Sequence, residues 1–246
     1  MAAVTAPLLT TTKLSRQFGG LRAVDDVSFA LPAGEVRAII GPNGAGKTTF
    51  VNLVCGRVRP TAGRIAFEGT DITGLPAHAR VGRGIAYTFQ ITSVFANLSV
   101  FDNVALAAQG ALMRSGGKAD DETVRSAVEA ALNRVGLDDR RDATASTLAY
   151  GHQRLLEVAM GLALRPKLLI LDEPTQGLSD VEIEGFLDLV RSIAETATVL
   201  LIEHNMAVVM ELADTITVFN QGRVLAEGDP ATIRRDEAVQ HAYLGT

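Results

Sequence analysis

The sequence predicts an α/β fold: a largely parallel sheet flanked by helices, with a block of helices inserted partway along. Two observations predict it. Short apolar runs of strand character alternate with helical apolar spacing up to about residue 90 and again from residue 166 onward, the pattern of βα units feeding one sheet. Between them, from about residue 100 to 164, only helical spacing occurs and no strand-like run interrupts it.

The elements follow in order. Residues 8–14, 27–31 and 36–40 read as strands, the last two separated by the turn Pro32-Ala33-Gly34. Strand 36–40 runs straight into GPNGAGKT, and 47–55 then has the spacing of a helix. Short strands are expected at 63–67 and 85–87. Residues 100–113 and 122–135 read as helices joined by the glycine-containing RSGGK, and 151–164 as a third helix stopped before Pro166. Alternation then resumes: strand 168–171, helix 180–196, strand 199–202, helix 205–212. Strands 216–219 and 223–227 close the pattern around the turn Asn220-Gln221-Gly222.

Composition narrows the class. With 47% hydrophobic and 21% charged residues in 246, the chain is that of a folded globular protein. A net charge of −5, 5% aromatics and no Trp argue against a nucleic-acid surface. The longest apolar runs are too short to span a bilayer. The N-terminus lacks the basic start and apolar block of a signal peptide, so the cytoplasm is the default expectation. The single cysteine, Cys55, has no partner for an internal disulfide and reads as packing in the helix 47–55. No internal repeat or low-complexity tract stands out.

Two motifs carry chemistry. Residues 41–48, GPNGAGKT, match G-x-x-x-x-G-K-[ST] at every required position, with a strand before and a helix after. Gly41, Pro42, Asn43, Gly44, Ala45, Gly46, Lys47, Thr48 and the adjoining Thr49 are therefore candidate nucleotide-binding residues. The glycines let backbone N–H groups point into one concavity, and the helix adds its positive end. Lys47 is expected to reach the β- and γ-phosphates of ATP, and Thr48 to ligate Mg²⁺. The apolar strand 168–171 ends in Asp172-Glu173, a costly pair unless a cation waits there. Asp172 is expected to hold Mg²⁺ through water, and Glu173 to polarise the attacking water.

Between these motifs lies LAYGHQR, residues 148–154. The three in this order resemble the ATP-binding subunit of an ABC transporter, over nearly the whole chain after Leu8. The resemblance implies the ABC ATPase form of the P-loop NTPase fold, with antiparallel β-strands at the N-terminal side. It implies one domain over 8–246, its core at 8–90 and 166–246, a helical subdomain at 91–165, and a flexible 1–7. It also assigns residues. Gln90, at the junction of sheet and helices, would touch Mg²⁺ and the attacking water. His204, in IEHNM, would contact the γ-phosphate. Phe18 would stack on adenine, although a core aromatic near a strand end is the competing reading, and Val24 would join it at the nucleotide. Residues 177–180 resemble a loop that crosses between two ATPase subunits, ending in Asp180; Ser179 or Asp180 would cap the helix. Ala149 and Gly151 fall in the family signature that closes over ATP bound to the other subunit. Ala149 stands where a serine is usual, so backbone N–H groups near Gly151 must carry more of the contact, with Ser146 or Thr147 as partial substitutes.

The motifs LAYGHQR, YTFQ, IEHNM and AYLG together look like the branched-chain amino-acid uptake group. That implies transmembrane permease subunits docked near Gln90 and residues 91–98, on an exposed apolar patch. It also implies a second ATPase subunit, a periplasmic binding protein acting indirectly, no nucleic acid, and a peripheral place on the cytoplasmic face of the membrane. Urea or amide import, lipopolysaccharide export and a soluble ABC-type assembly factor are the alternatives. A GTPase is disfavoured by the lack of an N-K-x-D motif.

Overall fold

The computed structural model describes residues 6–88, 93–114 and 120–244. Strands β1 (Leu9–Phe18), β2 (Leu21–Leu31), β4 (Ala62–Phe67) and β5 (Thr70–Asp71) form an antiparallel sheet of order β2-β1-β4-β5. The second sheet takes β3 (Val36–Ile40), β6 (Ile85–Thr88), β7 (Leu168–Asp172), β8 (Thr198–Ile202), β9 (Thr215–Asn220) and β10 (Arg223–Gly228) in the order β10-β9-β3-β8-β7-β6. Its neighbours from β9 to β6 are parallel, and only β10 runs antiparallel at the edge. Helices α1 (Lys47–Val54), α2 (Ala77–Val81), α3 (Val100–Arg114), α4 (Asp121–Val135), α5 (Tyr150–Ala163), α6 (Asp180–Ala194), α7 (Met206–Leu212), α8 (Pro230–Arg235) and α9 (Glu237–Leu244) complete the chain.

Strand periodicity divides the core. In β7 and β8, Leu168, Ile170, Leu200 and Ile202 join Phe50, Leu53 and Val54 of α1 on one face of the parallel sheet. The alternate residues Leu169, Leu171, Val199 and Leu201 join Leu156 of α5 and Phe186 and Val190 of α6 on the other. That second cluster runs without a break into Val104 of α3 and Val128 and Leu132 of α4, so the three-helix layer shares its apolar core with the sheet. A smaller cluster seats α7, α8 and α9 on β3 and β9 through Ile40, Val209, Val218, Ile233 and Val239. Because β3, β7 and β8 are parallel neighbours, everything at their C-terminal ends is delivered to one edge of the sheet.

The strands and α-helices that the pattern did not announce are short: β5, α2, and the C-terminal helices α8 and α9 of six and eight residues. β5 is a two-residue strand and α2 a five-residue helix, neither long enough to show a period. α2 is fixed by Arg80, which is 1% exposed. Its guanidinium donates to the carbonyls of Leu53, Val54, Thr73 and Leu75 at 2.7–3.0 Å. Two of those carbonyls lie at the C-terminus of α1, where helical partners run out. Cys55 beside them is buried, and burial pushes its thiol up to about 12, which suits the packing role.

Candidate nucleotide site

The phosphate loop leaves β3 with Gly41 at φ 148° and enters α1 from Gly46 at φ 101°. A Cβ on Gly41 would run into the carbonyl oxygen of Phe219 in β9, and one on Gly46 into that of Ala23 in β2. Both glycines are thus required by backbone passing behind the loop. Gly44, at φ 79° with open space around it, is the one whose surroundings leave the concavity clear. Lys47 turns its ammonium onto the carbonyls of Gly41 (2.6 Å) and Pro42 (3.1 Å). Burial lowers its pKa, while the charges of Glu173 and Asp172 oppose that shift. Phe50 makes the first helical bond back to Gly46, so the N–H groups of Lys47, Thr48 and Thr49 lie in the turn that has no helical acceptor. Thr48 is exposed there.

Asp172 ends β7 and is 1% exposed. Burial pushes its pKa up; Tyr87, whose hydroxyl donates to Oδ2 at 2.7 Å, pulls it back, as does Lys47. Tyr87 had no assigned role in the sequence. It reaches Asp172 because β6 is the parallel neighbour of β7, a pairing invisible to linear spacing. Glu173 follows in the left-handed region at φ 48°, unusual for a residue with a Cβ, and its N–H donates to the Ile202 carbonyl at 2.8 Å. Its Oε1 stands 3.8 Å from Nδ1 of His204, beyond a hydrogen bond and within ion-pair reach.

Phe18 is 43% exposed at the end of β1, with the Arg16 guanidinium carbon 4.3 Å from its ring centroid, which excludes the core-aromatic reading. Val24 corrects an expectation. It is fully buried in the cluster that holds Ala45 and Phe50, so its side chain supports the loop from below and offers no surface to a nucleotide. Gln90 lies outside the described residues.

The N-cap of α5 is Ala149, which has no side-chain acceptor to offer the N–H groups of the first turn. The Thr147 hydroxyl is committed to the Thr144 carbonyl at 2.7 Å. A Cβ on Gly151 would meet the carboxylate of Glu182, the far end of an exposed side chain. Gly177, at φ 80°, packs under the Tyr150 ring, 2.9 Å from where its Cβ would be. The cap of α6 is Ser179, in a reciprocal box with Glu182, and exposed Asp180 is the first helical residue. The structure therefore pairs Tyr150 with Gly177 and Gly151 with the start of α6, and brings Lys47, Asp172, Glu173 and His204 together.

A profile of the family described as ABC transporter matches residues 24–176, spanning the phosphate loop, LAYGHQR and Asp172-Glu173. The chain belongs to the ABC transporter ATP-binding family. Within it, the profile described as branched-chain amino acid ATP-binding cassette transporter matches residues 223–246. The cassette is 39% identical to the high-affinity branched-chain amino acid transport ATP-binding protein BraF of Pseudomonas aeruginosa, over 97% of this chain and 98% of BraF. It is 34% identical to the lipopolysaccharide export system ATP-binding protein LptB of Escherichia coli, over 96% of this chain and 97% of LptB. A solved ATP-binding cassette of an ABC transporter in its ADP conformation superposes with a TM-score of 0.86 at 27% identity, over 98% of this chain and all of that one. The ABC ATPase fold, with its antiparallel sheet beside a mostly parallel one, is the fold expected from sequence. Among the described residues no helix is long and apolar enough to cross a membrane.

Proposed function

We propose that this ATP-hydrolysing cassette energises uptake of branched-chain amino acids through separate transmembrane permease subunits, with a periplasmic binding protein acting upstream. The cassette pairs with a second ATPase subunit and sits peripherally on the cytoplasmic face of the membrane, with no part for nucleic acid. The match at residues 223–246 and the higher identity to BraF than to LptB favour this solute class over lipopolysaccharide.

The observation that carries the hydrolytic reading is Glu173, held left-handed beside buried Asp172 and 3.8 Å from His204, on the sheet edge that also bears the phosphate loop. Loop N–H groups and Lys47 hold the phosphates of ATP. The exposed face of Phe18 takes the adenine. Glu173 orients and polarises the attacking water, and His204 donates to the γ-phosphate as charge develops. Mg²⁺ fits the donors on offer: the Thr48 hydroxyl and the Asp172 carboxylate are hard oxygen ligands, and this cation is commonly held by one or two carboxylates together with phosphate oxygens and water. When bound it supplies neutralisation of phosphate charge. Asp172 keeps one oxygen on Tyr87, leaving the other for that role.

In a closed pair, the first turn of α5 presents its N–H groups to the ATP of the other subunit, substituting for the hydroxyl that Ala149 lacks. A groove of about 320 Å³ bordered by Tyr87, Ser93, Ala107, Glu157 and Met160, with exposed Phe95 nearby in sequence, is the receiving surface for the permease. Residues 91–165 are read as the arm that carries this surface. The test is Glu173→Gln. ATP binding survives and both turnover and cellular leucine uptake are lost; normal hydrolysis by that variant would falsify the assignment of the base.

A further inference from the structure

Glu203 is a carboxylate for which the reading above has no use. It follows directly on β8, whose five residues are all buried, and it is itself 1% exposed. No ion pair of Glu203 occurs among the described residues. A carboxylate taken out of water without a cation must find its solvation in hydrogen bonds, and here the bonds are divided between two loops. Oε1 accepts from the N–H of Thr175 at 3.0 Å and from its hydroxyl. Oε2 accepts from the N–H groups of His204 at 2.9 Å and Asn205 at 3.1 Å. Thr175 lies two residues beyond Glu173 on the exit of β7, and His204 is on the exit of β8. One carboxylate thus ties together the loops that carry Glu173 and His204. The tie is reinforced on either side: Glu173 N–H bonds to Ile202, and the Asn205 side chain accepts from Ala207 and Val208 to start α7.

We propose that Glu203 is a positioning residue for ATP hydrolysis, fixing the Glu173 and His204 loops against each other so that carboxylate and imidazole address the same γ-phosphate. The proposal rests on the roles given above to Glu173 and His204. Simple closure of the strand end could be served by an apolar side chain. What such a side chain lacks is the ability to grip donors from both loops at once.

Glu203→Gln keeps the shape and places an NH₂ group opposite donors on one side, releasing one loop from the other. In the full chain, the expected result is an ATP Kd unchanged within about twofold and a kcat lowered about tenfold or more, as expected when reacting groups are displaced without loss of binding. Combined with His204→Ala, the double variant should be no slower than the slower single one, because the imidazole is already out of place. Normal turnover of Glu203→Gln, or losses that multiply in the double variant, overturns the proposal. If Glu203→Gln does not fold, Thr175→Val removes one hydroxyl at constant shape and is judged by the same two criteria, with Thr175→Ser expected to restore kcat. Normal turnover of both Glu173→Gln and His204→Ala would remove the parent reading instead, a result obtained without touching Glu203.

Discussion

The Tyr87–Asp172 bond allows a prediction in which pH separates two explanations. Tyr87→Phe removes one oxygen and leaves the ring in place, and with that oxygen goes the 2.7 Å hydrogen bond to a carboxylate that is 1% exposed. Burial already holds the Asp172 pKa above its ordinary value of 3.8, and the Tyr87 hydroxyl works against that rise. A carboxyl group with a raised folded-state pKa binds its proton more tightly when folded. Its cost to stability is therefore absent at low pH, grows as pH climbs past 3.8 through the folded pKa, and is complete above it. Removing the hydroxyl raises the folded pKa further and enlarges the cost only where Asp172 is ionised. A hydrogen bond to a charged group is worth about 1.5–3 kcal/mol, and one between neutral groups about 0.5–1.5 kcal/mol. Urea unfolding should show Tyr87→Phe destabilised by about 2 kcal/mol at about pH 8 and by about half that or less below the ordinary value of 3.8, where the raised pKa keeps Asp172 protonated in the folded state. Equal losses at both pH values would mean that packing, not the charge of Asp172, explains the tyrosine.

Other consequences are as direct. Gly41→Ala forces a methyl group into the Phe219 carbonyl, whereas Gly44→Ala meets nothing within 4 Å and only the cost of its positive φ. Thermal melts should place Gly41→Ala lower by about 2 kcal/mol or more than Gly44→Ala. Arg80→Met strips the donors from four carbonyls and should cost about 3 kcal/mol or more in a urea titration; a loss below about 1 kcal/mol would show that those carbonyls find other partners. Ala149→Ser restores a hydroxyl at an uncapped helix start, so ATP-driven pairing, followed by size exclusion in a Glu173→Gln background, should be equal or tighter. Clear loss of pairing would mean that 148–154 is not the closing segment.

The sheet was readable from sequence wherever burial on both faces leaves a short, mostly apolar run. Val36–Ile40, with Arg37 as its one charged residue, is a strand with the expected bounds, and β7 and β8 differ by single residues. Reading failed where polar residues extend a strand, as Ser15 to Gln17 do in β1, and where a helix is held by one long side chain, as α2 is by Arg80. At the site, the composition of the phosphate loop was legible but not the reason for all its glycines. Gly41 and Gly46 answer to β9 and β2, which are distant in sequence. Tyr87 and Glu203 went unrecognised for the same cause, since each acts across strands that become neighbours only in the folded sheet. Glu173 was found by its place after an apolar strand, while its left-handed backbone left no mark in the sequence.

The contact of Gly151 with Glu182 changes how a damaged signature should be interpreted. A side chain at 151 displaces the exposed Glu182 carboxylate, whose other oxygen accepts from Ser179, and so weakens one half of the box that starts α6. An inactive substitution there would ordinarily be scored as a lost grip on the neighbouring subunit's ATP. In this chain the same phenotype can arise inside a single subunit, through a frayed helix that begins seven residues after Glu173. Helix content measured on the variant without nucleotide separates the two lesions, and it needs no partner to be present.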